Sequence, residues 1–269
     1  MNDAKTGGSH VKSVGRAIQI LELLALEDRE MSLTEISDAL QWPKTTVYGL
    51  IATLRDYRFV HQSPGSGRYS LGIRLFEMGH NMARKWNIRT VALPLMKQFQ
   101  LQYGETVQLG AEDQGEVLYV EKLESAQPLR IVSEIGGRLP MHCSGLGKVL
   151  LAYKTAADVK LILQQKGMAR ITRRTITELA KLEKELALIR ERGYAFDDRE
   201  IMDGLRCVAA PIYGRDSAVQ YAVSVSGLAD IFQGEYLERL RQSLLRMAAD
   251  ISRAMGYQPS KVKTSGTKK

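Results

Sequence analysis

Residues 33–54, LTEISDALQWPKTTVYGLIATL, hold two short amphipathic segments on either side of a proline, a pattern that few folds accommodate. Leu33, Ile36, Ala39 and Leu40 recur at spacings of three and four, and Val47, Leu50, Ile51 and Leu54 repeat the pattern after the break. Two helices therefore share one small core. Ser32 with Glu35 three residues on is a capping-box pattern that fixes where the first helix begins. Pro43 stops that helix and lets the second open at Lys44, Thr45 and Thr46. The exposed start of the second helix carries Lys44, Thr45, Thr46 and Tyr48, side chains suited to phosphates and base edges, so the pair reads as a helix-turn-helix. Helical pairs that bind nothing are also common, and the pair alone leaves both readings open.

The next residues favour a DNA-binding reading. Phe59-Val60-His61-Gln62 and Arg68-Tyr69-Ser70-Leu71 flank Ser63-Pro64-Gly65-Ser66-Gly67, which predicts a hairpin, or wing, behind the helix-turn-helix. Between residues 41 and 74 the cations are Lys44, Arg55, Arg58, Arg68 and Arg74 against the single acid Asp56, whereas residues 22–38 are mainly acidic. Such segregation suits a phosphate-facing surface. The candidate DNA contacts are Arg16, Lys44, Thr45, Thr46, Tyr48 and Arg68.

At 269 residues and 44% hydrophobic content, the chain has room for two ordinary domains. Its formal charge of +8 suits an anionic partner, although Lys261, Lys263, Lys268 and Lys269 supply half of it. No apolar run approaches the roughly 20 residues needed to cross a bilayer, so a cytoplasmic protein with no membrane association is expected. Cys143 and Cys207 form no disulfide framework and no metal-ligand spacing; no metal and no cofactor are expected. His142 beside Cys143 is the one thin hint of metal or thiol chemistry.

Along the chain, residues 14–26 predict a helix with Val14, Ala17, Ile18, Leu21, Leu24 and Ala25 inward and Ser13 as its cap. Leu71, Leu75, Met78, Met82 and Trp86 predict a helix leaving the wing, whose apolar stripe either bridges domains, pairs subunits or packs on its own domain. Helices are expected over 88–103, kinked or restarted at Pro94, and over 144–153, 158–165, the stretch ending at Gly193, and 235–255. Strands are expected over 106–111, 116–123, 129–135, 206–213 and 218–226. This interleaving indicates an α+β domain with a largely antiparallel sheet. The boundaries read as a disordered 1–10, a winged helix-turn-helix over 11–73, a linker helix over 74–87, a second domain over 88–258 and a disordered basic tail over 259–269.

Two places in the second domain invite a small molecule. Met141-His142-Cys143-Ser144-Gly145-Leu146-Gly147-Lys148 is a Gly-rich turn entering a helix, whose first N–H groups favour an anion. It is not a Walker A loop, since the first glycine is missing and Val149 follows the lysine; Leu150 likewise breaks a G-x-G-x-x-G pattern. The second place is residues 197–207 with Ser224 and Ser226, two hydroxyls on one strand face that need partners, either backbone or ligand. No Ser-His-Asp set is evident.

Taken together, SVGRAIQILELLA, LTEISDAL-QWPKTTVY, RYSLGIRLFEMG, GETVQL, LPMHCSGLGKVLLA, ERGYAFDD, GLRCVAAPI and AVSVSG resemble the IclR-type bacterial transcriptional regulators in the right order from residue 12 to about 257. The resemblance implies an N-terminal winged helix-turn-helix, a linker helix and a C-terminal effector-binding domain with a profilin- or GAF-like sheet. It implies a homodimer or homotetramer on a palindromic double-stranded DNA operator. In members that bind small organic acids, the ligand lies against the turn matching Gly145 and Leu146 and meets positions matching Asp197, Cys207, Ser224 and Ser226. TTVYGLIATL and GLRCVA look most like regulators of sugar-acid catabolism. Two departures stand out: Gly49 replaces an arginine common in the recognition helix, and Asp56-Tyr57-Arg58-Phe59 replaces the usual Gly-Tyr turn. The reading is a repressor, not an enzyme, whose operator affinity answers to a small organic acid. The alternative is a thiol-dependent enzyme or a redox switch using Cys143 and Cys207.

Overall fold

The computed structural model describes residues 11–27, 29–85, 87–125 and 134–258. The chain divides into two compact units, Met1–Lys85 and Trp86–Lys269. The termini expected to be disordered, Trp86 and most of the strand expected over 129–135 lie outside the described residues.

In the first unit, helices α1 (Lys12–Leu26), α2 (Leu33–Leu40) and α3 (Lys44–Asp56) precede a hairpin of β1 (Val60–Gln62) and β2 (Tyr69–Leu71), and α4 (Ile73–Lys85) follows. Ile20, Leu24, Met31, Ile36, Val47, Ile51, Val60 and Tyr69 form one buried core. The capping box is present: Glu35 N–H donates to Ser32 Oγ at 3.3 Å and Ser32 N–H to Glu35 Oε2 at 2.7 Å. Gln41 closes α2 in the left-handed region and Pro43 stands as the N-cap of α3. Met31 exchanges two backbone hydrogen bonds with Tyr69, tying the entry of α2 to the wing.

One helical expectation needs correction and another narrows. Helix α1 starts one residue before Ser13, on Val11, and has no side-chain cap. Its inward face centres on Ile20 and Leu24, whereas Val14 and Ile18 are exposed and Ala25 is too. The apolar residues of α1 cover more than one face, so periodicity permits two stripes, and packing chose the one that contains Ile20. In α4 the stripe is not covered by its own unit: Met78 and Met82 are exposed, as are Ile73 and Phe76, and only Leu75 is half-buried, while Leu71 belongs to β2.

The second unit is built on a six-stranded sheet in the order β5-β4-β3-β8-β7-β6, every neighbouring pair antiparallel. The strands are β3 (Thr106–Asp113), β4 (Glu116–Leu123), β5 (Arg138–Pro140), β6 (Ala195–Asp198), β7 (Leu205–Tyr213) and β8 (Val219–Leu228). Helices α5 (Asn87–Tyr103) and α9 (Gly234–Ala254) cover one face; α6 (Gly145–Ala152) and α8 (Leu179–Arg192) cover the other, with α7 (Ala156–Lys166) beside them. Period-two alternation sorts the side chains. Val107, Leu109, Val208, Ala210, Val223 and Val225 join the α5/α9 core, and the intervening Gln108, Cys207, Ala209, Ser224 and Ser226 face α6. Helix α5 runs through Pro94 without interruption. The short strands β5 and β6 were not anticipated; at three and four residues they are too brief for an alternation signal.

Candidate functional sites

On α3, Lys44, Thr45 and Tyr48 are exposed and Thr46 is half-buried, so the expected contact surface is solvent-facing. Lys44 has no ion-pair partner among the described residues. Arg16 lies over the Trp42 ring, 5.4 Å from its centroid, at the turn between α2 and α3. Arg68 is engaged rather than free: its guanidinium reaches Glu35 Oε2 at 2.5 Å and the Glu30 carbonyl at 3.1 Å, bracing the wing against the start of α2. The Ser32 N–H and the Arg29 guanidinium hold the Glu35 carboxyl down at about 2, so this brace stays charged. Arg58 takes up a left-handed conformation at φ 62°, the geometry a glycine ordinarily supplies, and pairs with Glu77.

In the second unit Gly145, Leu146, Asp197, Cys207, Ser224 and Ser226 line one cavity of about 60 Å³. Sheet register explains why: Asp197 is opposite Cys207, Cys207 opposite Ser226, and Ser224 lies between Ala209 and Gln108. Helix α6 closes this row from above. A Cβ on Gly145 would sit 2.9 Å from Cys207 Sγ, and one on Gly147 would sit 2.4 Å from the Met141 backbone. The two glycines therefore serve close approach, which is why the turn resembles a phosphate loop without its chemistry. Ser144 caps α6 by accepting from Gly147 N–H at 3.1 Å; the N–H groups of Gly145 and Leu146 have no carbonyl within the helix to donate to.

The structure adds Gln108, Tyr119, Leu139, Ser144, Ile201, Met202 and Leu205 to the lining. Gln108 was the legible one, a polar residue between Val107 and Leu109. Its Oε1 accepts from Ser226 Oγ at 3.0 Å and Ser224 Oγ at 3.3 Å, so both serine oxygens keep acceptor lone pairs for a further donor. Lys148 is buried and donates to the Phe196 carbonyl at 2.7 Å and to Glu200 Oε1, fastening α6 to the turn after β6. Thr172 and Thr175 hold the same turn through the Glu200 carbonyl. Burial pushes the Asp197 carboxyl up to about 7, against the pull of the Glu200 N–H and Lys148.

The same burial pushes both the Cys143 and Cys207 thiols up to about 12, so neither presents a thiolate at neutral pH. His142 is bonded to the Ala169 carbonyl at 3.0 Å, and burial lowers its proton affinity. Among the described residues no three His, Cys, Asp or Glu side chains gather as a metal site, and no helix is long and apolar enough to cross a membrane.

Comparison with known proteins finds relatives of both units. The family model for the IclR helix-turn-helix domain matches residues 13–64, and that for the bacterial transcriptional regulator IclR C-terminal region matches residues 80–253. The chain is 35% identical to the HTH-type transcriptional regulator XynR of Escherichia coli K12 over 92% of its length and 98% of that protein. It is 30% identical to the transcriptional repressor IclR of the same organism, covering 91% of this chain and 90% of that one. An IclR homologue of Microbacterium hydrocarbonoxydans, solved with 4-hydroxybenzoate, superimposes with a TM-score of 0.80 at 25% identity, over 90% of this chain and 98% of that one. With its helix-turn-helix, its antiparallel second domain and matches that span nearly all of its length, this chain belongs to the IclR family of DNA-binding bacterial transcriptional regulators.

Proposed function

We propose that the chain is a repressor whose affinity for a double-stranded operator is controlled by a small organic acid bound in the α6 pocket. The observation that carries this reading is the convergence of residues 145, 146, 197, 207, 224 and 226, far apart in sequence, on one cavity at a helix N-terminus. The ligand carboxylate lies against the N–H groups of Gly145 and Leu146, and its hydroxyls donate to Ser224 and Ser226. The acid bound by the Microbacterium homologue supports this ligand class, and the repressor among the relatives supports the sign of regulation. A thermal-shift screen of sugar, keto and aromatic acids tests it. A ligand at 100 times its Kd is expected to stabilise the protein by about 2.7 kcal/mol, and a flat response across all three classes would contradict the reading.

Lys44, Thr45, Thr46, Tyr48 and Arg16 meet the DNA in this reading, and Arg68 sets the wing at the backbone. Two half-sites require two recognition helices, so the working form is at least a homodimer. The uncovered apolar side chains Ile73, Phe76, Met78 and Met82 of α4 and Val14 and Ile18 of α1 are the surface expected to pair. Sedimentation velocity at micromolar concentration should give a dimer or tetramer; a monomer that binds a palindrome at full affinity would contradict it.

A further inference from the structure

The pocket holds a carboxyl group of its own where an acid is expected to bind. Asp197 is 1% exposed and shares the cavity with the first turn of α6. It accepts from the Glu200 N–H at 2.7 Å and has no ion-pair partner among the described residues. The titratable groups that face it are Lys148 from α6, Glu200 from the turn after β6, Cys143 from the turn before α6 and Cys207 from β7, and Tyr119 of β4 lines the same cavity. Lys148 is committed to Glu200 and the Phe196 carbonyl, so those two charges cancel, and both thiols are neutral. The buried site therefore carries one negative charge when Asp197 is ionised and none when it is protonated. A ligand carboxylate in so small a cavity meets a second carboxylate with no cation to spare, and like charges at that range do not both remain ionised.

We propose that Asp197 couples effector binding to proton uptake: a monocarboxylate enters with one proton taken from solvent, which Asp197 holds and donates to a ligand oxygen. This deepens the pocket reading above and rests on it. Burial already raises the Asp197 carboxyl to about 7, so the proton is bound at little cost in neutral solution.

Isothermal titration calorimetry of the full chain with D-gluconate, pyruvate and 4-hydroxybenzoate, each in phosphate and in Tris, reads the proton directly because the buffers differ in ionisation heat. For any of these acids that binds, uptake should approach one proton at about pH 8 and vanish near about pH 5.5, with Kd rising about tenfold per pH unit above about 7. Asp197→Asn should bind with no uptake and a flat Kd across that range. Equal heats in the two buffers at the higher pH overturn the coupling and leave the pocket reading intact, as does an Asp197→Asn protein that still takes up a proton. If none of the three acids binds at millimolar concentration, the pocket reading falls and the coupling with it. Should the variant fail to fold, the two-buffer comparison on the unmodified chain decides.

Discussion

Asp197 is where burial and function oppose each other most directly. Its carboxyl rises from the ordinary 3.8 to about 7 because the pocket strips it of water. Between those two values the folded protein holds a proton that the unfolded chain has released, so stability falls as pH rises through this interval and the cost is complete above about 7. The rise corresponds to about 4 kcal/mol. Asp197→Asn, which keeps an acceptor for the Glu200 N–H, should be more stable than the parent above about pH 7, with the advantage shrinking toward acid. Urea denaturation across that range checks this, and parallel stability profiles for the two proteins would contradict it. At this scale the sequence was informative about which residues meet and silent about their state. Ser224 and Ser226 could be assigned to one strand face from period two alone, but neither the Gln108 bridge nor the Lys148–Glu200 pair has a local signature, because each joins residues brought together only by the sheet and α6.

At the scale of elements, α3 shows a cost carried on the surface. Gly49 lies in the interior of the helix, is exposed, and a Cβ there meets nothing within 4 Å. Gly49→Ala should therefore raise the stability of the first unit by about 1 kcal/mol, seen as a higher urea midpoint with an unchanged slope. A loss of stability would show that the glycine is needed for the backbone. The helices of this unit were legible because caps and breakers mark them: Ser32 with Glu35 opens α2, and Pro43 stands just before α3. The inward face of α1 was not, because Val14 and Ile18 are as apolar as Ile20 and nothing local ranks the two stripes. The stripe of α4 was open for the same reason, since bridging, pairing and packing within its own unit give one pattern. Hydrophobic periodicity reports that a face seeks burial and does not say whether its own chain supplies the cover.

For the whole molecule, most of the order of helices and strands and the antiparallel sheet followed from patterns in the chain, whereas the joining of residues 145, 146, 197, 207, 224 and 226 in one pocket came with the family resemblance of the motif blocks. Strands β5 and β6 came from neither, being shorter than the alternation that marks a strand, and yet β6 carries Asp197 into the site. In the proposed function, pocket and DNA surface share one free energy, so that each ligand alters the affinity for the other equally. The direct measurement is fluorescence anisotropy of the full chain on a duplex selected by the protein from a random pool, with and without a saturating acid from the thermal-shift screen. The ligand should change operator affinity by about 5- to 150-fold, weakening it for a repressor released by its effector. Superimposable binding curves in the presence and absence of a ligand that demonstrably occupies the pocket would contradict the account.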